Sequence, residues 1–247
     1  MLYVTDLREC DSPFGVFKGY LPLKNELFGR VVSALPASSK GWTDDFPDPE
    51  IPFKTKTIRD FSCREITAAA KEEQVSSIVV DLDKDSHEAT LRDLALNSPL
   101  PVLVLSRGDS KEELLSHVIF ATDWSAASEK AMEQILALGD CIYELDIIHV
   151  ISKKLTVKDM RELKERLQHT RKICLDSGIN AESHIYAGDV TEEIVTASGD
   201  YRGSVIILGS DTRRSFTERI FKKSKVYTLI KNAAVPVFCI PFAAEGD

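Results

Sequence analysis

The sequence is short of several things, and each shortage removes a class of function. No apolar run approaches the ~20 residues that a membrane-spanning helix needs. Basic charge is outweighed: 31 Lys and Arg stand against 39 Asp and Glu, a net charge of −8. A chain of that sign lacks the basic footprint that phosphate backbones demand, so nucleic acid is not an expected partner. The five cysteines, Cys10, Cys63, Cys141, Cys174 and Cys239, are odd in number and form no C-x-x-C pair. Cys174 falls in a helical apolar stripe and Cys239 in the last apolar strand, positions of buried small hydrophobes rather than redox or metal groups. The five histidines are scattered, with no H-E-x-x-H or other ligand spacing, and no metal site is expected. A nucleophile elbow, a Ser/His/Asp arrangement and a purposeful carboxylate pair are also missing. No catalytic residue is nominated, and the protein is not expected to be an enzyme. The first residues, Met1–Asp6, read as a short strand without the basic and long apolar stretches of a signal peptide, so the expected location is the cytoplasm, with no membrane partner.

What is present is regular. At 247 residues the chain suits two small domains better than one. From His117 onward, apolar strands alternate with amphipathic helices. His117–Asp123 is a nearly continuous apolar run, as in a strand buried on both faces. Ser125 can cap a helix with Ala127, Ala131, Ile135 and Leu138 on its inner face and Gly139 as its stop. Leu145–Ile151 is the next strand. Thr156, with Asp159 three residues on, opens a longer helix striped by Met160, Leu163, Leu167, Thr170 and Cys174 and ended by Gly178. Ala181–Tyr186 is a strand, and Asp189 caps a helix carrying Ile194 and Ala197. Strand Ser204–Leu208, a helix around Val226–Lys231 and strand Val235–Ile240 complete the pattern. Such alternation predicts an α/β fold with a doubly wound parallel sheet, in which ligands sit at the carboxyl ends of the strands. Here those ends are Thr122–Asp123, His149–Val150 and Leu208–Gly209.

The first half echoes the second. "LYVTDL" (2–7) parallels "IFATDW" (119–124); "EITAAAKEEQVSSIVVDLD" (65–83) parallels "EIVTASGDYRGSVIILGSD" (193–211); and "LRDLALNSPLPVLVLS" (91–106) parallels "VYTLIKNAAVPVFCIP" (226–241). Three matches in the same order predict an internal duplication. Two tandem domains are expected, residues 1–110 and 116–247, joined through Arg107–Glu113. The first looks degenerate and truncated: between Asp6 and Phe53 stand six prolines and four glycines, and Asn25–Leu35 is the single stretch that would hold a helix of normal length. Its Asp81–Asp85 loop is acidic and would repel phosphate.

The stretch from Ile207 to Pro241 opens like a phosphate-binding turn, since an apolar strand runs into Gly209. Where a cradle would want further glycines it offers Thr212, Lys222 and Lys223. Taken with "VIFATDWSAASEKAMEQILAL" (118–138), "LDIIHV" (145–150), "YAGDVTEEIVTAS" (186–198) and the closing "VIILGS…PVFCIP", the chain resembles a tandem member of the universal stress protein family. The resemblance covers nearly all of Ser116–Pro241, but in the first half only the opening strand and Glu65–Ser106. It implies parallel-sheet domains of the adenine-nucleotide α-hydrolase-like type and a stress-response or regulatory role. It also implies an ATP site built from an Asp ending the first strand, a Val ending the second, and a glycine signature after the fourth. Asp123, Val150 and Gly209 match. Thr212 takes the second glycine's place, and the third falls on Lys222 or, with one residue inserted, on Lys223 followed by the matching Ser224.

The implied nucleotide-binding set is Ala121, Thr122, Asp123, Val150, Leu208, Gly209, Ser210 and Ser224. Glycine serves in such turns because it accepts positive φ and lets backbone N–H groups approach phosphate. Each charge-assisted bond forfeited costs roughly 1.5–3 kcal/mol, enough to carry a micromolar site toward millimolar. Adenine-nucleotide binding is therefore expected to be weak or lost. Two plainer readings stand beside it: Asp123 as a cap of the next helix, and the basic loop as a solvated segment or a partner of Asp81–Asp85. A second class is a pure interaction module, with Leu100–Ser106 paired to Val235–Pro241 as an intramolecular pseudo-dimer able to form a homodimer. A nucleotide hydrolase is least favoured, because nothing positions a water or a metal.

Overall fold

The computed structural model describes residues 2–5, 31–36, 53–106, 114–211 and 223–242. The predicted alternation is present. The first half holds β1 (Leu2–Thr5), β2 (Val31–Pro36), β3 (Phe53–Ile58), α1 (Cys63–Glu72), β4 (Ile78–Asp81), α2 (Glu88–Asn97) and β5 (Val102–Val104). The second holds β6 (His117–Ala121), α3 (Ala126–Ala137), β7 (Glu144–Ile151), α4 (Val157–Asp176), β8 (Asn180–Ala187), α5 (Val190–Asp200), β9 (Val205–Asp211), α6 (Lys223–Asn232) and β10 (Val237–Phe242).

All ten strands form one sheet in the order β3-β2-β1-β4-β5-β10-β9-β6-β7-β8. Within each half every pairing is parallel. The halves meet where β5 and β10 pair antiparallel, with Val102 opposite Cys239, Leu103 opposite Phe238 and Val104 opposite Val237. Counted outward from that seam, the two halves have the same strand order.

Two expectations for the first half need correction. It is not truncated in its sheet, since β2 and β3 give it five strands. Val31–Pro36 is a strand rather than part of a helix over Asn25–Leu35. The physical reason is pairing: Val31 and Val32 are β-branched, and the segment is hydrogen-bonded between β1 and β3. Pro36 closes one strand and Pro52 precedes the next, where a missing N–H does little harm. The linker Arg107–Glu113 lies outside the described residues.

Alternate residues of the strands feed two apolar cores, one on each face, and both cross the seam. On one face Val80, Val104, Ile119, Ile148, Leu208 and Cys239 pack beneath α1, α2, α5 and α6. On the other, Leu103, Phe120, Ile147, Ile207 and Phe238 pack beneath α3 and α4, which contribute Ala131, Ile135, Leu163, Leu167 and Cys174. Caps set where the helices begin. Ser125 Oγ accepts from Ser128 N, Thr156 and Asp159 form a reciprocal capping box, and Asp189 accepts from the amides of Thr191 and Glu192. Gly178 at φ +85° turns the chain out of α4 into β8.

Near the amino ends of β6 and β7 a buried carboxylate ties three strands together. Asp146 is 5% exposed. It accepts from His117 Nε2 at 2.6 Å and from His184 Nε2 at 2.7 Å, while the Tyr201 hydroxyl meets His184 Nδ1 at 3.0 Å. An amide in its place would offer one oxygen to two N–H donors and turn its own NH2 toward one of them. Asp146→Asn is therefore expected to lower stability by about 1–3 kcal/mol in urea unfolding, with the steepness of the transition unchanged.

Candidate functional site

Register places the sequence-nominated residues at one end of the second half. Ala121 lies opposite Ile148 on one side and Leu208 on the other. Thr122 and Asp123 follow Ala121 in the chain, as His149 and Val150 follow Ile148 and as Gly209 and Ser210 follow Leu208, and Thr122 N donates to the Ile148 carbonyl at 3.0 Å. The structure thus brings seven of the eight nominated residues into one row of strand ends. The eighth, Ser224, is the second residue of α6. Thr212 and Lys222, like the rest of the basic loop between β9 and α6, lie outside the described residues.

Proximity is not the same as availability. Ala121, Val150 and Leu208 are buried core residues beneath the helices, and Ser210 is 4% exposed. Asp123 Oδ1 accepts from Ser125 N at 3.0 Å and from Ser128 Oγ at 2.7 Å. The Ser128 hydroxyl, 3.3 Å from the Asp123 amide, closes the loop on itself. Asp123 thereby braces the turn into α3, whose N-cap is Ser125.

Gly209 also has a structural employment. A Cβ built on it would lie 2.1 Å from the backbone carbonyl of Ala127 and 2.5 Å from Ser128 N. The first turn of α3 rests directly on β9, and only a residue without a side chain permits that approach.

Between Asp123 and Ser125 the chain carries Trp124 at φ +53°, a left-handed conformation that is strained for a bulky residue. Its surroundings hold it there. Trp124 N donates to Thr122 Oγ1 at 3.1 Å, and indole Nε1 donates to Thr170 Oγ1 of α4 at 3.1 Å. The ring lies 4.7 Å from that of His149, with the Arg166 guanidinium 6.0 Å away over the indole. His149 in turn bonds through Nδ1 to the Thr122 carbonyl at 2.9 Å. Burial pushes its imidazole below the ordinary value of 6.5, outweighing the Thr122 carbonyl and Asp123, which favour the cation; Arg166 adds to the lowering. Sequence reasoning did not nominate Trp124, Ser128, Arg166 or Thr170. The one legible signal was the S-x-x-S spacing of Ser125 and Ser128 at the helix entry. An open groove of about 620 Å³ lies elsewhere, along the outward side of α4 at Leu155, Val157, Met160 and Lys164.

No family model and no curated protein matches the chain. Solved structures do. A universal stress protein from Archaeoglobus fulgidus DSM 4304 superposes with a TM-score of 0.70 at 17% identity, over 99% of this chain and 97% of that one. The chain has the universal stress protein fold. A putative universal stress protein from Pseudomonas aeruginosa UCBPP-PA14 gives 0.67 at 13% identity, over 97% and 92% of the two chains. A functionally unknown protein from Pseudomonas aeruginosa PAO1 gives 0.65 at 12%, over 97% and 92%. At such identities the likeness is one of fold, and the residues at the strand ends of this universal stress protein fold have to be judged by their own geometry.

Two outcomes follow from that geometry. Gly209→Ala is expected to cost about 1–3 kcal/mol or more, because backbone rather than a flexible side chain must yield, and thermal unfolding measures it. The depressed imidazole of His149 means that the unfolded chain binds a proton more readily than the folded one. Its contribution to stability is intact above pH 6.5 and is lost as pH falls below that value toward the folded-state pKa. His149→Asn, which keeps a donor for the Thr122 carbonyl and cannot titrate, is expected to flatten this part of the stability–pH curve.

Proposed function

We propose that the protein is a non-enzymatic stress-response or regulatory protein of the universal stress protein type, acting in the cytoplasm, with two tandem domains arranged as a pseudo-dimer within one chain. Its second domain carries a weak adenine-nucleotide site at the ends of β6, β7 and β9. The position of Asp123, Val150 and Gly209 in one row supports such a site, because open α/β sheets bind ligands at these ends.

Its weakness is carried by a single observation: the glycine that would begin a phosphate cradle is packed against the backbone of Ala127. The same end of the sheet has Asp123 Oδ1 engaged by Ser125 and Ser128, so a ribose hydroxyl would compete with the turn into α3. At the two substituted glycine positions, Thr212 and Lys223, a β-branched residue that resists positive φ and a long side chain stand where bare backbone would approach a phosphate. The mechanism is a shift in population: a nucleotide reaching from Asp123 to the segment after Gly209 favours the arrangement of the chain that it fits. The duplicated strand order and the β5–β10 pairing favour a pseudo-dimer.

Calorimetric titration with ATP tests the reading. The expected dissociation constant is about millimolar, weakened further in Asp123→Asn, which keeps the Oδ1 acceptor for the turn. The double variant Thr212→Gly, Lys223→Gly is expected to bind at least about tenfold more tightly, a gain of some 1.4 kcal/mol. Micromolar affinity in the unaltered chain would overturn the weak-site reading. No heat at millimolar ATP, in either the chain or its double variant, would favour a pure interaction module.

A further inference from the structure

The seam between the halves holds an amine in an unusual setting. Lys84 follows β4, and in the internal repeat it stands in the first half where Thr212 stands in the second. Its carbonyl accepts from the Tyr227 hydroxyl of α6 at 3.2 Å, which fixes the backbone against the other half. Its Nζ crosses the seam to the Ala233 carbonyl at 3.0 Å, one residue past the end of α6, and lies 3.5 Å from Ser106 Oγ. The Ser106 hydroxyl points to the same Ala233 carbonyl at 3.5 Å.

Neighbouring carboxylates have other partners. Asp85 pairs with Lys231 at 3.0 Å, and Asp83 Oδ1 accepts from Ser86 N at 2.8 Å. Among the described residues, none pairs with Lys84, and burial acts alone in pushing its ammonium below 10.5. A carbonyl and a hydroxyl compensate a desolvated cation less well than a carboxylate does. In the fraction that has shed its proton, Nζ can give one N–H to each acceptor and still hold a lone pair, and the side chain is only half-buried.

We propose that Lys84 is an acylation site, taking its acyl group from an activated donor such as an acyl phosphate or an acyl thioester, and that the modification loosens the seam. The Nζ lone pair attacks the donor's carbonyl carbon and forms the C–N bond. The C–O bond to phosphate, or the C–S bond to the thiol, then breaks, and phosphate or thiolate leaves with the electron pair. Nζ gives up one proton to solvent. The product amide has a single N–H and no charge, so it cannot serve both Ala233 and Ser106. The carbonyl end of α6 loses its cation, and the acyl group needs room between the halves.

The test uses the full chain incubated with acetyl phosphate or, separately, with acetyl-coenzyme A, from neutral to alkaline pH. Peptide mass spectrometry then follows each lysine. Lys158, with a side chain 84% exposed, is the reference. Lys84 is expected to be labelled several-fold faster than Lys158 near neutral pH, with the advantage shrinking as pH rises; the more effective arm identifies the donor chemistry. Chain acetylated at Lys84, and the Lys84→Gln variant, are expected to exchange the amide hydrogens of β5 and β10 faster than unmodified chain. Lys84→Arg keeps a cationic donor, cannot form the amide, and is expected to exchange like the unmodified protein. Labelling of Lys84 no faster than that of Lys158 with both donors, or unchanged exchange across the seam after labelling, would overturn the proposal.

Discussion

The antiparallel pairing of β5 with β10 is the contact on which the rest of the architecture depends. Without it, Val102–Val104 and Val237–Cys239 would be two apolar strand edges, each a template for association with other chains. With it, two five-stranded parallel sheets become one sheet of ten, and the apolar layers on both faces run through the junction without a break. The join is short in register but broad in packing, because α2 and α6 also meet over it. What remains at the outer margins is more polar. On β8, Arg171 Nε reaches the Ala181 carbonyl at 2.7 Å and covers part of that edge.

The row of strand ends at Thr122, His149 and Gly209 shows how one location can answer to two demands. Open α/β sheets leave their carboxyl ends for ligands, yet here the local polar groups are already used among themselves. Ser128, one turn into α3, is the pivot. Its hydroxyl holds the Asp123 carboxylate, and its amide lies above the glycine that lets α3 settle on β9. Trp124, bonded to α4 through Thr170, then fastens the same corner to the neighbouring helix of that layer. A ligand entering this corner has to offer bonds at least as good as those it displaces.

Much of this was legible in the residues. Apolar runs of strand length, caps at Ser125, Thr156 and Asp189, and the three-part echo between halves gave both the alternation and its order. The prolines before Phe53 misled, because a proline count speaks against helices but not against strands whose ends they flank. Pro36 and Pro52 sit at such ends, and the pairing that makes Val31–Pro36 a strand is long-range and leaves no local mark. At the candidate site the sequence identified Asp123, Val150 and Gly209 by type and spacing. It could not show that Gly209 is needed for the approach of Ala127, since that close contact joins segments about 80 positions apart. Trp124 escaped notice for a related reason: its meaning comes from His149, Arg166 and Thr170, on two other elements.

The opposed direction of the two halves has a consequence for how they communicate. The carboxyl ends of β4 and β5 lie at the pole of the molecule where β6–β10 have their amino ends, so events at Asp123 occur far from anything equivalent in the first half. Helix α6 runs from one pole to the other. It begins at Lys223 and finishes one residue before Ala233, whose carbonyl accepts from Lys84 Nζ. Its 10 residues, at 1.5 Å apiece, make a rod of about 15 Å. A rod of that length joins the carboxyl-end pole of the second half to the seam at Ala233.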